Sequence, residues 1–224
     1  MAYKLVIFDL DGTLVDTIAD LGTAVNVALE KKGLPLHTLE EYRVMVGNGV
    51  RKLVQRAMPA PLQGDEALLD ELLADFMSYY IDHINDRSVP YPGVPELLAE
   101  LDAAGVKLAV ASNKFQSGAE KLVGRLFPQV PFVAVCGGGQ GRPLKPDPAV
   151  IRQICEAAGE PLERTALVGD SGTDMATAAA AGIPAVAVTW GFRPEDARAA
   201  ADRVADTAAE LREILISRDC ADPR

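Results

Sequence analysis

The sequence lacks an excess of basic residues. Among its 224 residues, 22 are Lys or Arg and 32 are Asp or Glu, which gives a formal net charge of −10. A general nucleic-acid-binding protein needs a basic face, and so does a protein that docks on anionic lipid. The charge balance therefore argues against both kinds of partner. It does not exclude a small anionic substrate, because a metal ion and a few local cations can dominate a pocket.

The sequence also lacks a cysteine framework and any long hydrophobic run. Its three cysteines, Cys136, Cys155 and Cys220, are widely spaced and form no CxxC pair, which favours neither a disulfide framework nor a zinc site. No apolar stretch approaches the roughly 18 residues of a membrane span, and the apolar run near the N-terminus is too short for a signal peptide. We therefore expect a cytoplasmic protein with no membrane partner.

What the sequence does contain is a series of short apolar runs separated by helical patterns. The first run is Leu5–Phe8, and four more follow at residues 106–111, 131–135, 165–168 and 185–189. Continuous runs of this length are typical of strands that are buried on both faces of a parallel sheet. The alternation of strand and helix predicts an α/β fold with a doubly wound, Rossmann-like parallel sheet.

One long segment interrupts this alternation, because it carries helical patterns and no convincing strand. The patterns lie at residues 18–29, 39–46, 50–57 and 68–84, and a Pro-Tyr-Pro-Gly run at 90–93 marks the return to the sheet. The sequence thus predicts an α-helical cap domain, residues 16–88, inserted into a core domain formed by residues 1–15 and 89–224. The polar end at residues 217–224 is expected to be frayed.

The most informative segment is Asp9-Leu10-Asp11-Gly12-Thr13, which directly follows the first apolar run. Ligands of open parallel sheets bind beyond the carboxyl ends of the strands. Two carboxylates this close repel each other unless a cation lies between them, and Mg²⁺ takes hard oxygen ligands and often bridges to phosphate. The alternative is an ordinary acidic turn. The position directly after a buried strand favours a site for Mg²⁺ and phosphate.

Three other predicted strand ends carry matching chemistry. Ser112 and Asn113 offer a hydroxyl and an amide for phosphate oxygens, although capping of the strand end explains them equally well. Lys145, between stiffening prolines, is a candidate phosphate clamp or else a surface charge. Asp170 directly follows a buried run and is a candidate metal ligand. Asp174 is a second candidate, with capping of a helix as its alternative.

In their order, these four segments resemble the motifs of the haloacid dehalogenase superfamily, specifically its phosphatase branch. DxDGT at residues 9–13 resembles the first motif and Ser112-Asn113 the second, while Lys145 resembles the third and GDSGTD at residues 169–174 the fourth. The resemblance covers almost the whole chain, because the helical insertion resembles the small cap of this group.

The resemblance implies a mechanism through an aspartyl phosphate. Asp9 would be the nucleophile, and Asp11 would protonate the leaving alcohol and then activate water. Mg²⁺ would be held by Asp9, by the backbone carbonyl of Asp11 and by Asp170, with Asp174 either a further ligand or a neighbour that orients the lysine. The phosphoryl oxygens would be held by Thr13, Ser112, Asn113 and Lys145. Asp11 also favours phosphate esters over haloacids, because dehalogenating members lack the second aspartate.

A glycine-rich turn in the predicted cap contains Gly47 and Asn48 and is followed by Arg51. In the phosphatases that the sequence resembles, a cap loop of this kind lies over the active site. A helix N-terminus together with Arg51 would suit a carboxylate of the substrate. The alternative is an ordinary turn between two helices.

Together these features imply a Mg²⁺-dependent phosphatase that acts on a small phosphorylated metabolite, as a monomer or homodimer. The segment Thr189-Trp190-Gly191-Phe192 and the residues after it are similar to the end of phosphoglycolate phosphatases, which indicates hydrolysis of 2-phosphoglycolate to glycolate and phosphate. Alternatives within the superfamily are a pyrophosphatase, a sugar-phosphate phosphatase and a phosphomutase. The alternative from another functional class is a protein that accepts a phosphoryl group or binds a phosphorylated ligand but does not hydrolyse phosphate esters.

Overall fold

A parallel β-sheet lies at the centre of the molecule. The computed structural model describes residues 3–139 and 141–216, so Cys220 and the polar end at residues 217–224 lie outside the described part. The strands of this part are β1 (Leu5–Phe8), β2 (Val15–Asp16), β3 (Val89–Pro90), β4 (Lys107–Phe115), β5 (Ala134–Gly138), β6 (Thr165–Gly169), β7 (Ala185–Val188) and β8 (Arg203–Ala205). The sheet has the spatial order β5-β4-β1-β6-β7-β8, and all its neighbouring strands run parallel.

Six α-helices of the described chain, α5 to α10, cover the two faces of this sheet. The α-helices of the described residues are α1 (Ile18–Lys31), α2 (Leu39–Met45), α3 (Val50–Ala57), α4 (Glu66–His83), α5 (Val94–Ala103), α6 (Gln116–Leu126), α7 (Ala149–Ala158), α8 (Gly172–Ala181), α9 (Pro194–Arg198) and α10 (Ala208–Ile216). One face of the sheet packs with α5, α6 and α10, and the other with α7, α8 and α9. This arrangement confirms the doubly wound α/β fold. None of the described helices is long and apolar enough to cross a membrane.

The central strand β1 shows why the core sequence is apolar at consecutive positions. All four of its residues are fully buried. Val6 and Phe8 pack on one side of the sheet and Leu5 and Ile7 on the other, because successive side chains of a strand point to opposite faces. The chain places β4 on one side of β1 and β6 on the other. The carboxyl ends of these three strands therefore meet where the strand order reverses, which is the usual ligand position in such sheets.

Several elements differ from their predicted bounds. The strand predicted at residues 131–135 instead covers Ala134–Gly138, and Pro131, which has no N–H for a ladder hydrogen bond, lies before it. The second core strand continues to Phe115 and so includes Ser112 and Asn113. The sequence analysis also missed α6, α9 and β8, because their apolar patterns are short.

The helical segment, residues 16–88, joins the sheet through two paired connections. Val15 pairs with Pro90 and Asp16 with Val89 in the antiparallel pair β2–β3, which the sequence analysis did not predict. Buried Asp20 accepts hydrogen bonds from the backbone N–H of Arg87 and from the N–H and hydroxyl of Ser88, at 2.6–3.1 Å. Helices α1–α4 lie between these connections, as the sequence predicts. The division of the chain into core and cap domains stays a prediction.

Candidate active site

The first acidic segment turns sharply where β1 ends. The Leu10 carbonyl accepts hydrogen bonds from the N–H groups of Leu14 and Val15, at 3.1 and 3.0 Å, which turns the chain back on itself. Gly12 has a φ of 92°, and a Cβ at this position would lie 2.4 Å from Oδ2 of Asp170. Glycine is therefore required here both for the backbone conformation and for the approach of the second acidic segment.

Three buried carboxylates meet at this edge of the sheet. Asp9 follows β1, Asp170 follows β6 and Asp174 lies in the first turn of α8. One oxygen from each carboxylate lies within 4.8 Å of the others. Oδ1 of Asp170 accepts a hydrogen bond from the hydroxyl of Thr13 at 3.1 Å, and Oδ2 accepts one from the N–H of Phe192 at 2.7 Å. These contacts hold Asp170 in place beside the other two acids.

Buried Lys145 reaches into this acidic cluster. Its Nζ lies 2.9 Å from Oδ1 of Asp9 and 2.6 Å from Oδ1 of Asp174. Burial acts to lower the pKa of the lysine, but the attraction of Asp174 and Asp9 outweighs it and raises the pKa above its ordinary value. Oδ2 of Asp174 also accepts hydrogen bonds from the hydroxyl and N–H of Ser171. The capping role and the site role of Asp174 therefore coexist.

Asn113 holds the backbone around the site. Its Oδ1 accepts a hydrogen bond from the N–H of Lys145 at 2.8 Å, and its Nδ2 donates to the Lys145 carbonyl at 3.0 Å and to the Gly47 carbonyl at 3.1 Å. The amide thus ties the lysine loop to the turn of the helical segment. The hydroxyl oxygen of Ser112 accepts a hydrogen bond from the N–H of Lys114 at 3.1 Å, and this hydroxyl lines the pocket described below.

The side chain of Asp11 has different partners from that of Asp9. Its Oδ1 accepts a hydrogen bond from the hydroxyl of Thr17 at 2.7 Å and lies 3.1 Å from Nζ of Lys114. The Asp11 carboxylate is not a member of the acidic cluster, in which Asp174 is the third acid. Two carboxylates that are only two residues apart in sequence thus lie in separate environments. The binding of metal by the Asp11 backbone carbonyl stays a prediction.

Lys114 is a site residue that the sequence analysis missed. Its buried ammonium donates hydrogen bonds to Asp11 and, at 2.6 Å, to the hydroxyl of Tyr80 in α4. Burial acts to lower the pKa of Lys114, but attraction to Asp11 and the Tyr80 contact outweigh it and raise the pKa above its ordinary value. The lysine therefore stays cationic. Its place directly after Ser112-Asn113 at the end of a buried strand was the available signal.

A pocket opens between the sheet edge and the helical segment. Asp9, Asp11 and Lys114 lie on its core side, and Gly47 and Tyr80 on the other. The remaining lining residues are Leu21, Val46, Gly49, Val50, Leu53, Phe76, Ser112, Asn113 and Phe115. The pocket therefore combines acids and a lysine at the sheet with an apolar wall formed by the helices.

The predicted turn residues have different positions relative to this pocket. Gly47 lines it, whereas Asn48 lies beside it and binds Arg56, with its Nδ2 3.4 Å from the hydroxyl of Thr173.

Arg51 is exposed, and its guanidinium forms ion pairs with Glu66 and Asp70 instead of reaching the pocket. The reason is the helical period: Leu53, Val54 and Ala57 form the buried face of α3, so Arg51 lies on another face.

The donor set of the acidic cluster fits a hard divalent cation. Burial and the neighbouring acids raise the pKa of Asp9 to about 8, although Lys145 opposes this, and burial raises the pKa of Asp170 to about 6. Crowded carboxylates with raised pKa values lack sufficient positive charge around them. When Asp9, Asp11, Asp170 and Asp174 are all ionised, the two lysines leave two negative charges, which is the charge that Mg²⁺ would neutralise with carboxylate ligands.

Comparisons with known proteins agree with this geometry. The family model described as haloacid dehalogenase-like hydrolase matches residues 6–188 of the chain. A phosphoglycolate phosphatase from Mesorhizobium japonicum is 38% identical over 199 residues, which cover 88% of this chain and 88% of that protein. The chain therefore belongs to the haloacid dehalogenase-like hydrolases.

Solved structures share the fold over nearly the whole chain. A structure from Lactobacillus delbrueckii subsp. bulgaricus has a TM-score of 0.91 at 33% identity, and the match covers 97% of this chain and 100% of that one. CbbY from Rhodobacter sphaeroides, solved as a mutant in complex with xylulose-(1,5)bisphosphate, has a TM-score of 0.74 at 25% identity, with coverage of 93% and 96%.

The crowding of the three carboxylates leads to a prediction about stability. The folded-state pKa of Asp9, about 8, lies above the ordinary value of 3.8, so the metal-free protein loses stability as the pH rises from about 4 to about 8. Replacing Asp9 by asparagine removes this charge. We expect Asp9→Asn to raise the free energy of unfolding of the metal-free protein at pH 8 by at least about 1 kcal/mol, with little gain near pH 4.

Urea unfolding of the metal-free protein at both pH values measures this difference. The matched control is Asp102→Asn, which neutralises an exposed acid on α5 and is expected to change stability little at either pH. A wild-type protein as stable as the Asp9 variant at pH 8 would show that the cluster carries no electrostatic strain.

Proposed function

We propose that the protein is a Mg²⁺-dependent phosphatase that hydrolyses 2-phosphoglycolate to glycolate and phosphate through an aspartyl phosphate. The observation that carries this proposal is that Asp9 and Asp11, two residues apart in sequence, lie in different environments. Asp9 lies in a carboxylate cluster with Lys145, whereas Asp11 lies outside that cluster and lines the same pocket. A nucleophile and an acid–base group need different environments within reach of one substrate.

Asp9 supplies the nucleophile. Its Oδ1 accepts hydrogen bonds from the N–H of Leu10 at 2.7 Å and from Lys145 at 2.9 Å. Its Oδ2 accepts none from the described residues and is available to attack phosphorus. The new bond joins this oxygen to phosphorus while the bond from phosphorus to the ester oxygen breaks. Mg²⁺, when bound by the acidic cluster, would neutralise charge on the carboxylates and the phosphoryl group.

Asp11 completes both halves of the reaction. In the first half its protonated carboxyl gives a proton to the ester oxygen as the alcohol leaves. In the second half the carboxylate takes a proton from water, the resulting hydroxide attacks phosphorus, and Asp9 is released with phosphate. The hydroxyl of Thr17 and the ammonium of Lys114 fix the orientation of Asp11. This second half distinguishes a phosphatase from a phospho-acceptor that remains modified.

Lys145 and the hydroxyl of Ser112 hold the transferred phosphoryl group. Ser112 lines the same pocket as Asp9, and Lys145, in the loop between β5 and α7, lies 2.9 Å from Asp9 and is fixed by Asp174 and Asn113. A positive charge that is already in place stabilises the charge that develops on the phosphoryl oxygens, with no reorganisation during the reaction.

The choice of 2-phosphoglycolate rests on two supports. The relative from Mesorhizobium japonicum that shares 38% of its residues with this chain is a phosphoglycolate phosphatase. The apolar wall formed by Leu53, Phe76 and Phe115 also lies close to the acids, which favours a short substrate. A sugar-phosphate phosphatase is the second candidate, because the CbbY structure with a bisphosphate sugar shares the fold at 25% identity.

The substrate assignment is tested with a panel of phosphate esters in the presence of Mg²⁺. We expect kcat/KM for 2-phosphoglycolate to exceed that for pyrophosphate, hexose phosphates and xylulose-(1,5)bisphosphate by at least about 10-fold, a difference of about 1.4 kcal/mol in transition-state binding. Release of inorganic phosphate is the measurement. Preferential turnover of a sugar phosphate or of pyrophosphate would replace the proposed substrate with that one.

The mechanism predicts that Asp11 is needed more for some leaving groups than for others. With p-nitrophenyl phosphate the leaving phenolate needs no proton, so Asp11→Asn should still phosphorylate Asp9 but release phosphate slowly. We expect a burst of about one p-nitrophenol per active site, followed by a steady rate at least about 100-fold below wild type. Asp9→Asn, the matched control, should show neither burst nor turnover. A linear time course for Asp11→Asn with no burst would contradict the assigned roles.

A further inference from the structure

Lys114 is the only cation among the pocket-lining residues of the described chain. Its ammonium is buried between a carboxylate from the core, Asp11, and a hydroxyl from the helical segment, Tyr80. Phe76 and Phe115 line the same part of the pocket. Burying a charged group costs free energy, and here the Asp11 carboxylate at 3.1 Å and the Tyr80 hydroxyl at 2.6 Å offset that cost. A cation that is held in place on a pocket wall is a candidate contact for an anionic group of the substrate.

The weakest hydrogen bond of Lys114 is the one that a substrate would replace. The ammonium has three N–H groups, and its acceptors are the two oxygens of Asp11, at 3.1 and 3.4 Å, and the hydroxyl of Tyr80 at 2.6 Å. The contact at 3.4 Å is the longest of the three, so its N–H is the one that an acceptor in the pocket would take over. The hydroxyl of Tyr80 accepts from Lys114, and its own proton is therefore free to be donated. Burial raises the pKa of Tyr80 further above its ordinary value, which keeps that proton in place.

The proposed hydrolysis of 2-phosphoglycolate gives a reason for the position of Lys114 and Tyr80 in the pocket. As general acid, Asp11 must lie within hydrogen-bond distance of the ester oxygen, and Lys114 lies 3.1 Å from Asp11. In 2-phosphoglycolate the carboxylate carbon is two bonds from the ester oxygen. The carboxylate of a substrate bound for reaction therefore lies near Asp11, and Lys114 is the cation next to Asp11 in the pocket, whereas the exposed Arg51 pairs with Glu66 and Asp70.

We propose that Lys114, together with the hydroxyl of Tyr80, binds the carboxylate of the substrate and thereby restricts the enzyme to short phosphate esters that carry a second anionic group. This inference rests on the proposed phosphatase function and assigns its specificity to two residues. Because Tyr80 belongs to α4, the carboxylate is bound from both sides of the pocket. A neutral ester leaves the ammonium without this carboxylate partner. The enzyme therefore favours esters that carry a carboxylate over neutral ones.

The test compares two esters that differ only at the end remote from phosphorus. They are 2-phosphoglycolate and 2-hydroxyethyl phosphate, in which a neutral CH₂OH group replaces the carboxylate. The wild-type enzyme should prefer 2-phosphoglycolate in kcat/KM. We expect Lys114→Met to reduce the ratio of the two kcat/KM values by about 10–100-fold, mainly through KM for 2-phosphoglycolate, because a charge-assisted hydrogen bond is lost.

Three further variants test whether the change in the kcat/KM ratio is specific to the charge of Lys114 and the hydroxyl of Tyr80. Lys114→Arg keeps the charge and should retain most of the preference. Tyr80→Phe keeps the ring and should reduce the ratio by about 3–10-fold. Lys52→Met, on the exposed face of α3, removes a lysine outside the pocket and should leave the ratio unchanged. If Lys114→Met does not fold, as circular dichroism would show, the ratios of the Arg and Phe variants decide the question.

The outcomes separate the inference from the function on which it depends. Equal losses on both esters in Lys114→Met, which leave the ratio unchanged, would mean that the lysine only orients Asp11 and would overturn the carboxylate assignment. If Lys114→Met does not fold, an unchanged ratio in Tyr80→Phe or a lost preference in Lys114→Arg would overturn it, as would a wild-type enzyme with no preference for 2-phosphoglycolate. A wild-type enzyme that hydrolyses neither ester while turning over another phosphate would defeat the proposed function first.

Discussion

Carboxylates that share one buried space repel each other, and most features of this site serve to hold them there. The acidic cluster of Asp9, Asp170 and Asp174 lies within 4.8 Å at the edge where β1 and β6 end. Close approach depends on residues without side chains: a Cβ at Gly12 would lie 2.4 Å from an oxygen of Asp170, and a Cβ at Gly191 would lie 2.2 Å from the Cβ of Asp170. The parallel sheet supplies the position, and its strand ends supply the acids. The resulting excess of negative charge is what a divalent cation requires, and that cation together with Lys145 would offset the negative charge of a phosphoryl group.

Two buried lysines contact different acids of the site. Lys145 contacts Asp174 and Asp9, to which we assign nucleophilic attack, while Lys114 contacts Asp11, to which we assign proton transfer. Each is also linked to the helical segment, Lys145 through Asn113 and the Gly47 carbonyl, and Lys114 through Tyr80. The helical segment is therefore connected to the surroundings of both acids. A movement of this segment would change the surroundings of both lysines together.

The strand ends were predictable from the sequence because burial on both faces leaves continuous apolar runs, and the acids follow those runs directly. Asp9 and Asp170 were placed at one edge on this basis, and Lys145 on a proline-containing loop near that edge; the structure brings the three side chains together. Arg51 shows the limit of the approach: a nearby glycine-rich turn indicated a substrate contact, but the face of a short helix depends on which side chains its neighbours cover. Lys114 was missed for a related reason, since its importance arises from Tyr80, which is distant in sequence and meets it only in the folded chain. The short strand β8 carries too few apolar residues to be recognised.

Calorimetric titration of the metal-free protein with Mg²⁺ tests most directly whether the acidic cluster holds a divalent ion. The account predicts one ion per chain for the wild type, with release of protons at pH 7 because the pKa of Asp9 is raised to about 8. It predicts at least about 10-fold weaker binding for Asp170→Asn, which removes one carboxylate ligand. Equal affinities for the wild type and Asp170→Asn, or binding of Mg²⁺ with no release of protons, would contradict the claim that these acids form the metal site.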